Sequence, residues 1–164
     1  MVQDTTNNSR LIKLTVNGVV YERKVEPRVT LVDFIRGELG ITGTHVGCEH
    51  GVCGACTVIF DGQPVRSCIM LAVQADSHSV QTVEGMSSGE QLHPIQQAFW
   101  ENFALQCGFC TPGFLLTVQD LLSRNPDPTD TEIREELSGN ICRCTGYQSI
   151  IAAVKQAAIY MRQE

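Results

Sequence analysis

The chain contains no run of about 18 apolar residues that could cross a bilayer, no block of Lys or Arg that could follow a phosphate backbone and no glycine-rich nucleotide fingerprint. A membrane span, a nucleic-acid partner and a dinucleotide site of its own are therefore not expected. The N-terminus, Met1 to Arg10, is polar and lacks the apolar stretch of a signal peptide, so the expected location is the cytoplasm, where thiols stay reduced. Charge is sparse at 18% and leans acidic, with 18 Asp and Glu against 12 Lys and Arg and a formal net charge of −6. With 43% hydrophobic residues the chain is too apolar for a disordered protein, and its 164 residues suit one medium domain or two small ones.

Cysteine, by contrast, is abundant. Eight cysteines in a reducing compartment call for an explanation other than disulfides, and metal ligation is the leading one. They divide evenly: Cys48, Cys53, Cys56 and Cys68 fall in the first half, and Cys107, Cys110, Cys142 and Cys144 in the second.

The hydrophobic period changes between the halves. Ile12, Leu14 and Val16 alternate with polar residues, and Asn17-Gly18 predicts a hairpin into a second strand, Val19 to Val25. Thr30 is placed to cap a helix from Leu31 to Leu39, which Gly40 would end. Strands are expected over Cys56 to Phe60 and Val65 to Met70 about an Asp61-Gly62 turn, and over Ser79 to Val83. After Ser87-Ser88-Gly89 the period becomes helical. Leu92, Ile95, Phe99 and Phe103 predict one face, and Phe114, Leu115, Val118, Leu121 and Leu122 a second. Thr129 and Glu132 predict a capping box for a third helix, through about Leu137, and Ile150, Ile151, Val154, Ala157, Ala158 and Met161 a stripe on a fourth, from about Tyr147. The expected class is α+β, a small sheet domain over residues 1–86 followed by a four-helix bundle over 87–164, with the boundary near Met86 to Glu90.

Cys48-x4-Cys53-x2-Cys56, with Cys68 after a longer gap, matches plant-type [2Fe-2S] spacing. A loop wrapping an anionic metal-sulfide core needs backbone N–H groups turned inward, and Gly47, Gly51 and Gly54 sit where that demand arises. A structural zinc site is the competing reading, although Cys68 has no second cysteine beside it. Cys48-Glu49-His50 contains half of a Rieske pattern but no partner half, so His50 and His45 are expected as loop residues and not ligands. In the second set, Cys107-x2-Cys110 and Cys142-x-Cys144 each precede a predicted helix, so two positive helix ends would face four thiolates. Zinc stays open here too.

Gln106-Cys107-Gly108-Phe109-Cys110-Thr111-Pro112-Gly113, and then Gly139-Asn140-Ile141-Cys142-Arg143-Cys144-Thr145-Gly146-Tyr147, closely resemble the signature of the xanthine oxidase family of molybdenum hydroxylases. Gly47-Cys48-Glu49-His50-Gly51-Val52-Cys53-Gly54-Ala55-Cys56-Thr57-Val58 resembles that family's first cluster loop, and the likeness spans about residues 10 to 160. It implies a plant-ferredoxin-like β-grasp domain and a four-helix bundle, each holding a [2Fe-2S] cluster on its four cysteines. It further implies a molybdopterin cofactor, in its cytosine dinucleotide form, on a large subunit and FAD on a medium subunit, the whole being a dimer of heterotrimers. Gln106 and Cys144 are the residues it turns toward the pterin. Gly108, Gly113, Gly139 and Gly146 are expected as turn and close-approach positions, and Arg143 either offsets cluster charge or lies in solvent. A chain ending at Glu164 is expected to be the small subunit, relaying electrons without a substrate site of its own. A free-standing two-cluster carrier and a zinc-stabilised interaction protein are the other readings.

Overall fold

In the computed structural model, which describes residues 8–89 and 91–163, two Xaa-Gly turns set the sheet. Met1 to Asn7 of the polar N-terminus, Glu90 at the end of the expected boundary segment, and Glu164 lie outside the described residues. Asn17 and Gly18 have φ of 50° and 80°, and Asp61 and Gly62 have 44° and 83°. Both central residues are left-handed, as a two-residue hairpin turn matched to strand twist requires. The first turn joins β1 (Arg10–Val16) to β2 (Val19–Val25) and the second joins β3 (Thr57–Phe60) to β4 (Gln63–Arg66). With β5 (Ser79–Gln81) they form one sheet in the order β2-β1-β5-β3-β4, in which only β1 and β5 run parallel.

Alternation along β1 turns Ile12, Leu14 and Val16 inward, where they meet Leu31, Phe34 and Ile35. Those three belong to α1 (Leu31–Asp33) and to the wider helical turn Phe34–Glu38 that continues it. The expected single α-helix to Leu39 is thus mostly a π-type turn. The Leu39 N–H bonds to the Phe34 carbonyl at 3.2 Å, one residue farther back than an α-helix allows.

Two strands end earlier than expected. β4 stops at Arg66 because the Ser67 hydroxyl and amide both bond the Cys56 carbonyl, at 2.6 and 3.3 Å, and Ser67–Ile69 then winds into a 3₁₀ turn. Cys68 therefore reaches in from a helical turn and not from a strand. β5 likewise stops at Gln81, with a 3₁₀ turn over Val83–Gly85.

Four helices follow: α2 (Pro94–Glu101), α3 (Thr111–Arg124), α4 (Asp130–Glu136) and α5 (Gln148–Met161). The Thr129–Glu132 capping box forms, with the Thr129 N–H on Glu132 at 2.7 Å and the Glu132 N–H on Thr129 at 3.3 Å. Leu92 and Phe103 correct the expected stripe of α2. His93 caps the helix after Leu92, and Phe103 follows its end with φ of 51°, so only Ile95, Ala98 and Phe99 are buried. They pack with Phe114, Leu116, Ile150 and Val154 in a second core.

Strand β3 is the wall between the cores, since period-two alternation sends Val58 into the first and Ile59 into the second. Behind that wall, α3 begins against the loop that carries Cys53 and Cys56. A Cβ on Gly113 would stand 2.1 Å from the Gly54 carbonyl oxygen, an overlap that backbone cannot absorb. Gly113→Ala is accordingly expected to lower unfolding free energy by about 2 kcal/mol or more. Gly37→Ala, where a Cβ meets nothing within 4 Å, should be neutral or stabilising by up to about 1 kcal/mol. Chemical denaturation of both variants checks the contrast, and equal effects would contradict it.

Candidate metal centres

Eight free thiols stand in two groups of four. In the first, the loop from Gly47 to Cys56 folds back on itself so that the N–H groups of His50 and Cys53 both point at Cys48 Sγ, each at 3.4 Å. These two amides, Cys53 before His50, hold the Cys48 thiol down at about 6. Cys68 goes the other way, pushed up to about 11 by burial and then by its hydrogen bond to the Cys56 thiol. Cys48 and Cys53 thus form one pair, Cys56 and Cys68 another, and the charges of Cys48 and Cys56 both act on Cys68.

The second group is paired in the same way. Cys144 Sγ lies 3.5 Å from Cys107 Sγ. Cys110, pushed up to about 12 by burial and then by its bond to Cys142, belongs with Cys142. Burial also pushes Cys142 up, but the Thr145 hydroxyl at 3.2 Å and the N–H groups of Thr145 and Cys144 outweigh it and hold the thiol below its ordinary range. The Phe109 N–H, and after it the Cys144 thiol, lowers Cys107, while the bond to Cys107 raises Cys144. Cys110 caps α3 directly, as the spacing predicts, whereas Cys144 precedes α5 by four residues and the left-handed Tyr147 intervenes. The Tyr147 hydroxyl instead accepts from the Cys142 N–H at 2.9 Å.

This donor set suits a dinuclear sulfide core. Such a core takes two thiolates on each of its two irons, and each group of four divides into two pairs. The backbone is also cleared to admit the pairs: a Cβ on Gly47 would come within 3.0 Å of Cys53 Sγ.

The two groups are sewn together. The Ile141 N–H donates to the Cys53 carbonyl at 2.9 Å, so the residue before Cys142 is bonded to a cysteine of the other group. Asn140, 2% exposed, donates from Nδ2 to the Gly54 carbonyl at 3.3 Å and accepts at Oδ1 from Thr117 at 3.1 Å. Arg66 reaches across from β4 to the Gly139 carbonyl at 2.7 Å. His45 accepts no thiol; its ring stacks on Phe109 with centroids 4.9 Å apart, and Nδ1 meets the Phe109 carbonyl at 2.8 Å. His50 turns its ring onto the carbonyl of Cys48. A cleft of about 240 Å³ runs between the groups, with Cys48 and Cys53 on one side and Cys107, Cys110 and Cys144 on the other.

Exposure separates the thiols by position. Cys56, Cys68 and Cys142 are buried, whereas Cys107 and Cys144 are exposed, as are Gln106 and Arg143 beside them. Arg66, Thr117 and Asn140 escaped the sequence reading because their partners lie 73, 23 and 86 residues away. In the cluster-free chain the amides favour the thiolate of Cys48, whereas burial favours the neutral thiols of Cys68 and Cys110. Iodoacetamide followed by peptide mass spectrometry should label Cys48 well before Cys68 and Cys110, and equal rates at the three would contradict this pattern of hydrogen bonding and burial.

Comparison with known proteins agrees with this geometry. Residues 14–83 match the family model of a 2Fe-2S iron-sulfur cluster binding domain, and residues 82–155 match that of a [2Fe-2S] binding domain. The gamma subunit of caffeine dehydrogenase from Pseudomonas sp. strain CBB1 is 58% identical over 154 residues, which cover 92% of each chain. Among solved structures, quinoline 2-oxidoreductase from Pseudomonas putida 86 superposes with a TM-score of 0.92 at 49% identity, over 95% of this chain and 98% of that one. Aldehyde oxidoreductase from Desulfovibrio desulfuricans ATCC 27774 superposes at 0.90 with 44% identity, over 94% of this chain but only 17% of that one. With two [2Fe-2S]-binding domains and relatives of this similarity along nearly its whole length, the chain belongs to the small iron-sulfur subunits of the xanthine oxidase family of molybdenum-containing oxidoreductases.

Proposed function

We propose that this chain is the electron relay of a molybdenum hydroxylase, carrying single electrons from a molybdopterin site on a large subunit to FAD on a medium subunit. Residues 1–86 form a plant-type ferredoxin-like β-grasp domain, in which Cys48 and Cys53 hold one iron of a [2Fe-2S] cluster and Cys56 and Cys68 the other. Residues 87–164 form a four-helix bundle, in which the corresponding pairs are Cys107 with Cys144 and Cys110 with Cys142. The division is supported by the sheet preceding the four helices and by the junction of the two family matches at residues 82–83. When bound, each cluster supplies a reversible one-electron change.

The protein's own residues do the rest. The amides on Cys48 and Cys142 stabilise negative charge on sulfur, which favours the reduced form of each cluster. Gln106 and Cys144 face the pterin, in its cytosine dinucleotide form, and their exposure beside Cys107 leaves that edge open to a second chain. The observation that carries the reading is the placement of two thiol groups back to back, joined through the Ile141 N–H and the Cys53 carbonyl, with one such exposed edge. A cytoplasmic setting, where cysteines meant for iron stay reduced, is the location we assign to the chain. A dimer of heterotrimers is the assembly we assign to it.

Caffeine and quinoline, named in two of the relatives, are N-heteroaromatic, and this is the substrate class we assign to the complex. The complex purified from its host should contain molybdenum, FAD and two larger chains, and an N-heteroaromatic substrate should reduce its flavin anaerobically. Cys142→Ser should leave molybdenum and assembly in place while flavin reduction by substrate drops to background. A chain that purifies alone yet exchanges electrons fully with soluble acceptors would overturn the relay and favour a free-standing carrier.

A further inference from the structure

Helix α2 ends in a left-handed turn occupied by an exposed phenylalanine. Asn102 closes the helix with its N–H on the Ala98 carbonyl at 3.1 Å, and the N–H groups of Phe103 and Ala104 then bond back to Trp100 and Phe99 at 3.2 and 2.9 Å. Phe103 itself has φ of 51°, the left-handed helix stop that glycine ordinarily fills and asparagine tolerates. A phenylalanine there strains the backbone and obtains no burial in return, for its side chain is 82% exposed. Trp100, whose carbonyl receives the Phe103 N–H, is 69% exposed. Two neighbouring aromatic rings are thus held in water by a chain that has two cores in which to bury them.

Their surroundings point to a protein partner. No charged residue occurs from Asn102 to Gln119, and the exposed members of that stretch lead in four residues from Phe103 past Gln106 to the exposed thiol of Cys107. Glu101 and Arg143 are the exposed charges of this edge, and its remaining exposed side chains are aromatic or uncharged, as in an interface core with a polar rim; tryptophan is enriched among the residues that dominate binding. The left-handed stop also fixes the direction in which the Phe103 Cα–Cβ bond leaves the backbone before any partner arrives, which lessens part of the ordering cost of association.

We propose that Trp100 and Phe103 are the anchor by which the helical half docks into an apolar pocket of the large molybdenum-carrying subunit. This inference rests on the relay reading, because the anchor is continuous with the Gln106, Cys107 and Cys144 edge that faces that subunit. It is also consistent with the aldehyde oxidoreductase relative, in which the equivalent of this chain is 17% of a single longer polypeptide.

Phe103→Gly separates docking from folding, because the two respond in opposite directions. The cluster-loaded variant alone should melt at or above the wild-type temperature, since glycine relieves the strain. Its dissociation constant for the large subunit, measured by mass photometry of the purified complex on dilution, should rise at least about tenfold. Phe103→Tyr, which keeps the ring, should bind as wild type does, and Val20→Ala, at a 58% exposed position on β2, should change neither quantity. An unchanged dissociation constant for Phe103→Gly would overturn the anchor, as would a lowered melting temperature that accounts for the loss of binding. If the wild-type chain binds no larger subunit at all, the relay reading falls first and the anchor with it.

Discussion

The carbonyl of Gly54 has almost no freedom. It lies against the first turn of α3, where a Cβ on Gly113 would overlap it, and it accepts hydrogen bonds from Asn140 Nδ2 and from the Thr57 hydroxyl and amide. Gly54 sits between Cys53 and Cys56, Gly113 lies three residues beyond Cys110, and Asn140 two before Cys142. One close contact therefore sets both cysteine loops at once. A cluster loop gains little stability from its own backbone, because its amides serve the sulfurs and not a helix or a ladder. In this chain the missing rigidity comes from the neighbouring loop, and the spacing of the two proposed clusters follows from it.

Burial and hydrogen bonding then differentiate sites that share one ligand type. Amide donors converge on Cys48 and Cys142, while burial and a thiol–thiol hydrogen bond favour the neutral forms of Cys68 and Cys110 in the absence of iron. The first group is closed by Ser67 and the turn that carries Cys68, and the second is left open at Cys107 and Cys144. An open edge suits exchange with a large cofactor on another chain, and the aromatic residues at the end of α2 extend that edge beyond the thiols.

The parts of the molecule legible in the sequence are those governed by short-range rules. Asn17-Gly18 and Asp61-Gly62 announce their hairpins because few dipeptides accept two left-handed conformations, and Thr129 announces its helix because Glu132 stands three residues on. The division of the cysteines into two sets of four follows from spacing alone. Their pairing within a set does not, since Cys107 meets Cys144 and not the nearer Cys110. Arg66, Thr117 and Asn140 carry no local signal, because each works on a backbone atom or side chain brought near only by the completed fold. Phe103 shows how a local rule misleads: helical periodicity counts it into the buried face of α2, yet the helix has ended and the ring is in solvent.

The central claim is that two dinuclear clusters occupy the two sets of paired thiols. Iron, zinc and acid-labile sulfide measured together on the natively purified protein, with electron paramagnetic resonance after reduction, test it most directly. The account predicts about four irons and four sulfides per chain, no zinc, and two distinct [2Fe-2S] signals. Colourless protein containing zinc in place of iron would contradict it, since a d¹⁰ ion gives neither the visible absorption nor the resonance.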